Sequence, residues 1–369
     1  MGNQDERRTP PNPLGANDWD DWDPSNAHNG YTGKARALRD IALPRDPALE
    51  QPTPLFPPLP RSAPPPGAGL SPAAQAILAR ASSESYLTIT HDVMEPGFAE
   101  VYDAVLRPEW SAPFGRLLLS MFLTLPRTTG WQVLDVGCGA GYPTLELARF
   151  LGQASDIAGI DVWDEAIAIA RRKANDQWLR NVSFLVADIM ASGLPDAAFD
   201  TITCNLGLAS FADRAGALAQ MRRLLRPGGQ LLLTTPLQSA MREFLDIYYL
   251  TLRDLKLEGA VRALTQMIAA RPTVASVQRL LEDAGFTVKR AATESFTLRY
   301  PSPQAFFGSL LIQTTYLESW RNVIEDETVR GLVFHELERR LAARAYLTGG
   351  SGSELTLTVP MLCVHAVRV

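Results

Sequence analysis

The chain has 369 residues, 46% of them hydrophobic, and a formal charge of −5. That length and apolar content can bury a sizeable core, which excludes a fibre or a miniprotein. The acidic balance argues against a nucleic-acid partner held by a broad basic field, and three scattered cysteines (Cys138, Cys204, Cys363) exclude a disulfide framework or a cysteine-rich zinc site.

In chain order, the first feature is proline. Of 27 prolines, 15 fall between Pro10 and Pro72, and runs such as Pro52 to Pro66 remove backbone donors while offering little apolar surface to offset ordering entropy. Residues 1–70 are therefore read as a disordered, proline-rich tail. Within it, Trp19 and Trp22 stand among four aspartates, and Tyr31 to Leu43 can form a short amphipathic turn. Aromatics in such a tail point to a segment, residues 17–43, that docks on a scaffold, shell or carrier protein; a solvated linker is the competing reading. The first 30 residues lack the apolar stretch of a signal peptide, and no run of about 18 apolar residues occurs, so no membrane span and a cytoplasmic location are expected.

Residues 71–130 read as a helical cap. Ser71 as N-cap and Pro72 at the first helical position open a helix over 73–82, with further helices over 98–106 and 114–125. After Gly130, short apolar strands over 132–136, 157–160, 182–186, 199–204 and 230–235 alternate with helices over 144–151, 165–175 and 215–225. Such alternation predicts an α/β fold, a doubly wound and mostly parallel sheet whose ligands bind at the carboxyl ends of the strands.

The first strand runs Val133-Leu134-Asp135-Val136 into Gly137-Cys138-Gly139-Ala140-Gly141, and Tyr142 stands where a dinucleotide loop would want its third glycine. This G-x-G-x-G stretch resembles motif I of the class I S-adenosylmethionine-dependent methyltransferases. The resemblance implies a seven-stranded Rossmann-like sheet over 131–369 and S-adenosyl-L-methionine as cofactor. It also implies a loop of Asp135, Gly137, Cys138, Gly139 and Gly141 around the methionyl part. Asp161, ending the second strand, matches the family's ribose-gripping carboxylate, with Val162 or Trp163 against the adenine. Asp188 matches the acceptor of the adenine amine and Ile189 its packing neighbour, while Asn205 and Leu206 match the floor of the methionine moiety. The turn Leu225 to Gly229 resembles the family's entry to strand five. Residues 284–288 resemble entry to strand six, and 360–369 resemble a last strand inserted antiparallel.

Methyl transfer from a sulfonium needs alignment more than acid–base machinery. His91, beside Asp92 and Glu95, is the candidate catalytic base, and no metal is expected. Asn205-Leu206-Gly207-Leu208 departs from the Asn/Asp-Pro-Pro-Tyr pattern of DNA amino-methyltransferases. Helical insertions are expected at about 237–285 and 293–354, and with the cap they are expected to roof an apolar substrate pocket through Tyr102, Trp110, Tyr248, Tyr249 and Phe307. The expected function is methyl transfer to a small, apolar or amphipathic metabolite. The alternatives are a carrier-protein or carboxylate O-methyltransferase, which residues 284–303 resemble, and a non-catalytic cofactor-binding scaffold.

Overall fold

A computed structural model describes residues 69–126, 130–348 and 354–369. The tail segment 17–43 lies outside the described residues. Among the described residues, no helix is long and apolar enough to cross a membrane.

Helix α1, Pro72–Ser83, starts as its sequence dictates: the Ser71 hydroxyl accepts from the Ala74 N–H, and proline occupies the first turn. The two further cap helices expected as separate pieces are one continuous helical run. It comprises α2 (Phe98–Val101), a π-helical stretch (Tyr102–Ser111) and α3 (Ala112–Phe122). Pro108 lies inside the π-helical stretch, where its missing N–H is tolerated by wider winding.

The sheet is built from β1 (Gln132–Val136), β2 (Asp156–Asp161), β3 (Val182–Val186), β4 (Phe199–Asn205), β5 (Leu225–Pro236), β6 (Phe286–Tyr300) and β7 (Leu355–Arg368). Its order is β3-β2-β1-β4-β5-β7-β6. The strands from β1 to β5 pair in parallel, and β7 runs antiparallel between β5 and β6. Crossovers run through α4 (Thr144–Leu151), α5 (Asp164–Asp176) and α6 (Arg214–Leu224). Between β3 and β4 only a 3-10 turn, Ile189–Ala191, intervenes.

The main core fills one side of the sheet, where Leu134, Ile202, Leu231 and Leu233 meet Leu218 and Met221 of α6. Arg222, whose side chain donates to the carbonyls of Gly285 and Val369, ties α6 to the last two strands, and Arg226 pairs with Asp200. The basic cluster ending α6 is thereby spent on structure.

Helices α7 (Arg242–Asp254), α8 (Glu258–Ala269) and α9 (Val274–Asp283) follow β5. The segment after residue 293, expected to be helical from its start, is instead strand as far as Tyr300. The β6–β7 ribbon pairs from Glu294↔Met361 out to Tyr300↔Leu355, beyond the last β5 partner at Pro236↔Met361. The alternation of Phe296, Leu298 and Tyr300 is what a half-buried strand requires, and it continues the β6 pattern. Helices α10 (Pro303–Phe307), α11 (Leu310–Thr315), α12 (Leu317–Arg321) and α13 (Glu327–Thr348) connect the two strands of the ribbon.

These helices carry a second, aromatic core. Phe244 of α7 packs on Trp320 at 4.3 Å and on Phe306 at 5.3 Å between ring centroids, and Phe307 stacks on Tyr86 at 4.8 Å. The Tyr248 hydroxyl donates to the Trp320 carbonyl at 2.9 Å. Tyr248 and Phe307 are fully buried in this cluster, so the two do not line an open pocket. The correction has a plain cause: rings of this density pack on one another at tilted and stacked angles and close the space between them.

Candidate functional site

The site gathers at the carboxyl ends of β1, β2 and β4. Gly137, Gly139 and Gly141 all take positive φ, at 73°, 50° and 92°, which a side chain would resist. Gly139 matters most: a Cβ built there meets no atom within 4 Å, so its backbone borders open space. Gly137 sits against Gly207 after β4, where a Cβ would lie 3.5 Å from the Gly207 Cα. The glycine loop and the β4 turn are therefore direct neighbours.

Asp161 is half-buried at the end of β2, as the sequence predicts, and its carboxylate reaches both sides. One oxygen accepts from the Gly139 N–H at 2.8 Å and the other from the Trp163 N–H at 3.0 Å. Each oxygen keeps a further lone pair for an incoming hydroxyl. Asn205 is buried and bridges three elements. Its Nδ2 donates to the Ser111 carbonyl at 3.1 Å, and its Oδ1 accepts from the Thr234 hydroxyl at 2.7 Å. The same Thr234 oxygen accepts from the Leu206 N–H, holding Leu206 at a φ of 66°.

Three expected site residues are turned away from the open space. Asp135 is 1% exposed, and its two oxygens accept from the hydroxyls of Thr144, at 2.5 Å, and Thr203, at 2.7 Å. It fastens the first residue of α4 to β4, behind the loop. Cys138 has its N–H on the Ile160 carbonyl and its own carbonyl on the Gly141 N–H, while its sulfur joins Ile167, Ala170 and Phe184 in a small core. It shapes the loop and presents no free polar group; burial raises its thiol pKa. Ile189 is 2% exposed in the main core, and the apolar side chain presented beside Asp188 is Met190. The exposed Asp188 carboxylate itself caps the 3-10 turn by accepting from the Met190 N–H at 2.9 Å. The physical reason is alternation: neighbouring residues at a strand end face opposite ways, and a motif read by spacing does not say which.

Burial pushes the Asp135 carboxyl up to about 6, against the lowering effect of its two hydroxyl donors. A carboxyl raised in the folded state from an ordinary 3.8 stabilises the fold below that value and loses the contribution as pH rises through 6. Asp135→Asn is accordingly expected to make the protein about 1 to 3 kcal/mol more stable at pH 8 and nearly neutral in effect at pH 4. Urea denaturation at both pH values checks this; equal effects at the two would contradict it.

The cap is clamped over β2 by residues that motif reading missed. Glu165 accepts from the N–H groups of Gly97 and Ala99 at 2.8 and 3.4 Å, capping α2. Trp163 packs on Phe98 and on Tyr102, at 6.2 and 5.8 Å between rings, while Val162 is left exposed. Lys173 donates to Asp103 at 2.6 Å and to the Ala140 carbonyl of the glycine loop at 3.0 Å. Lys173 was findable, because it continues the buried α5 stripe of Ala166, Ile169 and Ala170, where a lysine must have a partner. Burial raises the Tyr102 hydroxyl pKa, and the Asp161 charge adds to it against hydrogen bonding with Ser111. Tyr102 packs edge-on against Trp163, the residue from whose N–H the Asp161 carboxylate accepts.

The other expected pocket residues are dispersed. Trp110 packs edge-on against Tyr316 and Phe296. Tyr249 lies under the Arg253 guanidinium at 6.0 Å. His91 bonds through Nε2 to Gln313 Oε1 at 2.8 Å, and Gln313 in turn donates to the Ala81 carbonyl, so His91 braces α1 against α11 and not the glycine loop. Among the described residues, no cluster fit to hold a metal ion occurs.

Residues 127–285 match a family described as a methyltransferase domain. Nocamycin O-methyltransferase of Saccharothrix syringae is 29% identical over 281 residues, covering 72% of this chain and 94% of the relative. The ubiquinone/menaquinone biosynthesis C-methyltransferase UbiE of Teredinibacter turnerae is 32% identical over 167 residues, covering 42% of this chain and 67% of that protein. Among solved structures, a putative methyltransferase of Bacillus halodurans is similar at a TM-score of 0.46 and 17% identity, over 68% of this chain and 98% of that one.

Proposed function

The chain belongs to the class I S-adenosylmethionine-dependent methyltransferases, and from that premise we propose that it methylates an oxygen of a small, apolar or amphipathic metabolite. The observation that carries the reading is the Asp161 carboxylate bonded to Gly139 at the rim of the open glycine loop.

The residues present fit the cofactor. Asp161 has a free lone pair on each oxygen for the two ribose hydroxyls, and the bare Gly139 backbone leaves room for the methionyl chain. Asn205, locked by Ser111 and Thr234, forms the floor beside the loop. Bound S-adenosylmethionine supplies an electrophilic methyl group on a sulfonium, taken by in-line displacement. The chain's own part is to orient and to exclude water: the cap, clamped by Glu165 and Lys173, covers the β2 end.

The preference for oxygen is supported by how the relatives align. The match to UbiE covers 42% of this chain, whereas the match to nocamycin O-methyltransferase covers 72%. Acceptor choice resides in segments outside the cofactor-binding core, so the longer match is the more informative about it.

Incubation with methyl-labelled S-adenosylmethionine and a panel of hydroxylated aromatic and enolic compounds tests the reading. A labelled, alkali-stable methyl ether is expected. An alkali-labile methyl ester would transfer the assignment to carboxylates, and absence of S-adenosylmethionine binding by calorimetry would end it.

A further inference from the structure

The turn between α8 and α9 carries a guanidinium that the fold does not use up. Arg271 is part-buried, and burial lowers its pKa. Its Nη1 donates to the Ala240 carbonyl at 3.1 Å, and its Cζ lies over the Tyr316 ring at 5.7 Å. A ring face takes none of the in-plane N–H groups. Among the described residues no carboxylate pairs with Arg271, and its Nε and Nη2 donate to nothing while remaining reachable by water. Other part-buried arginines are spent: Arg223 pairs with Asp196 and bonds Gln220 and the Leu194 carbonyl, and Arg330 bonds the carbonyls of Ile324 and Glu325. A part-buried cation without a counter-charge is costly, and a bond to one carbonyl does not require a five-donor ion.

Its position is set by the strand that ends beside it. The Gln238 N–H donates to the Pro272 carbonyl at 2.8 Å, which stitches the turn after α8 to the segment following β5. Two residues before the end of β5, the Thr234 hydroxyl donates to Asn205. From the other side, Tyr316 meets Trp110 edge-on at 5.7 Å, and Ser111, next in the chain, accepts from the Asn205 Nδ2 on its carbonyl. Arg271 thus stands beyond the carboxyl ends of β4 and β5, the end of the sheet at which this fold binds its ligands.

We propose that Arg271 selects a methyl acceptor bearing a planar oxyanion, a carboxylate or an enolate, which the free Nε–Nη2 edge of its guanidinium holds with two parallel hydrogen bonds. The inference rests on the methyltransferase reading above. That an acceptor sits at this end of the sheet belongs to the fold; its negative charge is what Arg271 adds. The Nε–Nη2 edge is the side of the fork that matches a planar pair of oxygens, and Nη1 is already committed to Ala240. An oxyanion offsets the unpaired guanidinium and is also drawn to the sulfonium of S-adenosylmethionine. Trp110 and Tyr316 beside it are buried rings, a setting for a flat, singly charged anion more than for a strongly hydrated dianion.

The test is calorimetric titration of the full chain at neutral pH, with and without saturating S-adenosylhomocysteine. Two ionised probes, 2-naphthoate and the enolate of 2-hydroxy-1,4-naphthoquinone, distinguish carboxylate from enolate, and neutral 2-naphthamide is the control. At least one of the two anions is expected to bind saturably and about tenfold or more tighter than the amide. Arg271→Met keeps the stem and removes the charge, and is expected to weaken that anion roughly thirtyfold, the worth of a charge-assisted hydrogen bond, while leaving the amide unaffected. Arg271→Lys keeps the charge without the fork and is expected to fall between. Neither thermal stability nor S-adenosylmethionine affinity is expected to drop in Arg271→Met, whereas loss of a merely structural arginine would lower the first. No saturable anion binding, equal affinity for anion and amide, or full anion affinity in Arg271→Met overturns the assignment. Tighter binding of 2-naphthyl phosphate than of either planar anion also overturns it. Failure of the unaltered protein to bind S-adenosylmethionine instead overturns the methyltransferase reading and leaves the titrations made without cofactor standing.

Discussion

Asp161→Ala is expected to weaken S-adenosylmethionine binding by about 3 kcal/mol, roughly a hundredfold in Kd. Two effects add. The substitution removes charge-assisted acceptors for the ribose hydroxyls, and it frees the N–H groups of Gly139 and Trp163 that the carboxylate now holds at 2.8 and 3.0 Å. The second effect loosens the glycine loop itself, which a merely ligand-contacting residue would not do. Asp161→Asn retains one acceptor and is expected to fall between the two. Calorimetric titration reads both variants; an unchanged Kd in Asp161→Ala would remove Asp161 from the cofactor site altogether.

Phe244→Ala is expected to cost about 4 kcal/mol of stability, the middle of the range for removing a fully buried ring. Phe244 is 0% exposed and touches four aromatic neighbours: Trp320, Phe306, Tyr248 and Phe307, at 4.3, 5.3, 5.8 and 5.9 Å between centroids. Its loss leaves a cavity that four stiff rings from three helices cannot collapse to fill. Chemical denaturation measures the change. Cofactor affinity is expected to hold, because the glycine loop and Asp161 are supported by β1, β2 and the cap and not by this cluster. A cost under 1 kcal/mol would show that these helices are held by something other than the aromatic core.

The same contrast explains what could be read from residues alone. The strands that carry the glycine loop and Asp161 were legible because a parallel, doubly covered sheet writes itself as short apolar runs with glycine or aspartate at their ends. Strand β1, at Gln132–Val136, and β3, at Val182–Val186, fall where the pattern puts them. The Ser71–Pro72 start of α1 was equally plain, since cap chemistry is local. The extension of β6 to Tyr300 was less legible. Its pairing partners, Leu355 to Met361, lie about 60 residues further on, and the helices between them dominate the local composition.

Within the site, spacing located Asp135, Cys138, Asp161, Asp188, Ile189 and Asn205 at strand ends but did not orient them. Asp161 faces the open loop, whereas Asp135 takes two threonine hydroxyls behind it and Ile189 enters the core. The clamp residues Glu165 and Lys173 carry no motif because their partners lie far along the chain.

By itself, the sequence determined the family, the sheet and the position of the glycine loop, because these depend on periodicity, glycine conformation and strand-end chemistry over short stretches. Only the tertiary structure decided which carboxylate meets open space and that Tyr248 and Phe307 close into a solid core. Those outcomes depend on packing between distant segments, where one residue's shift in facing exchanges core for site, and no local rule carries that information.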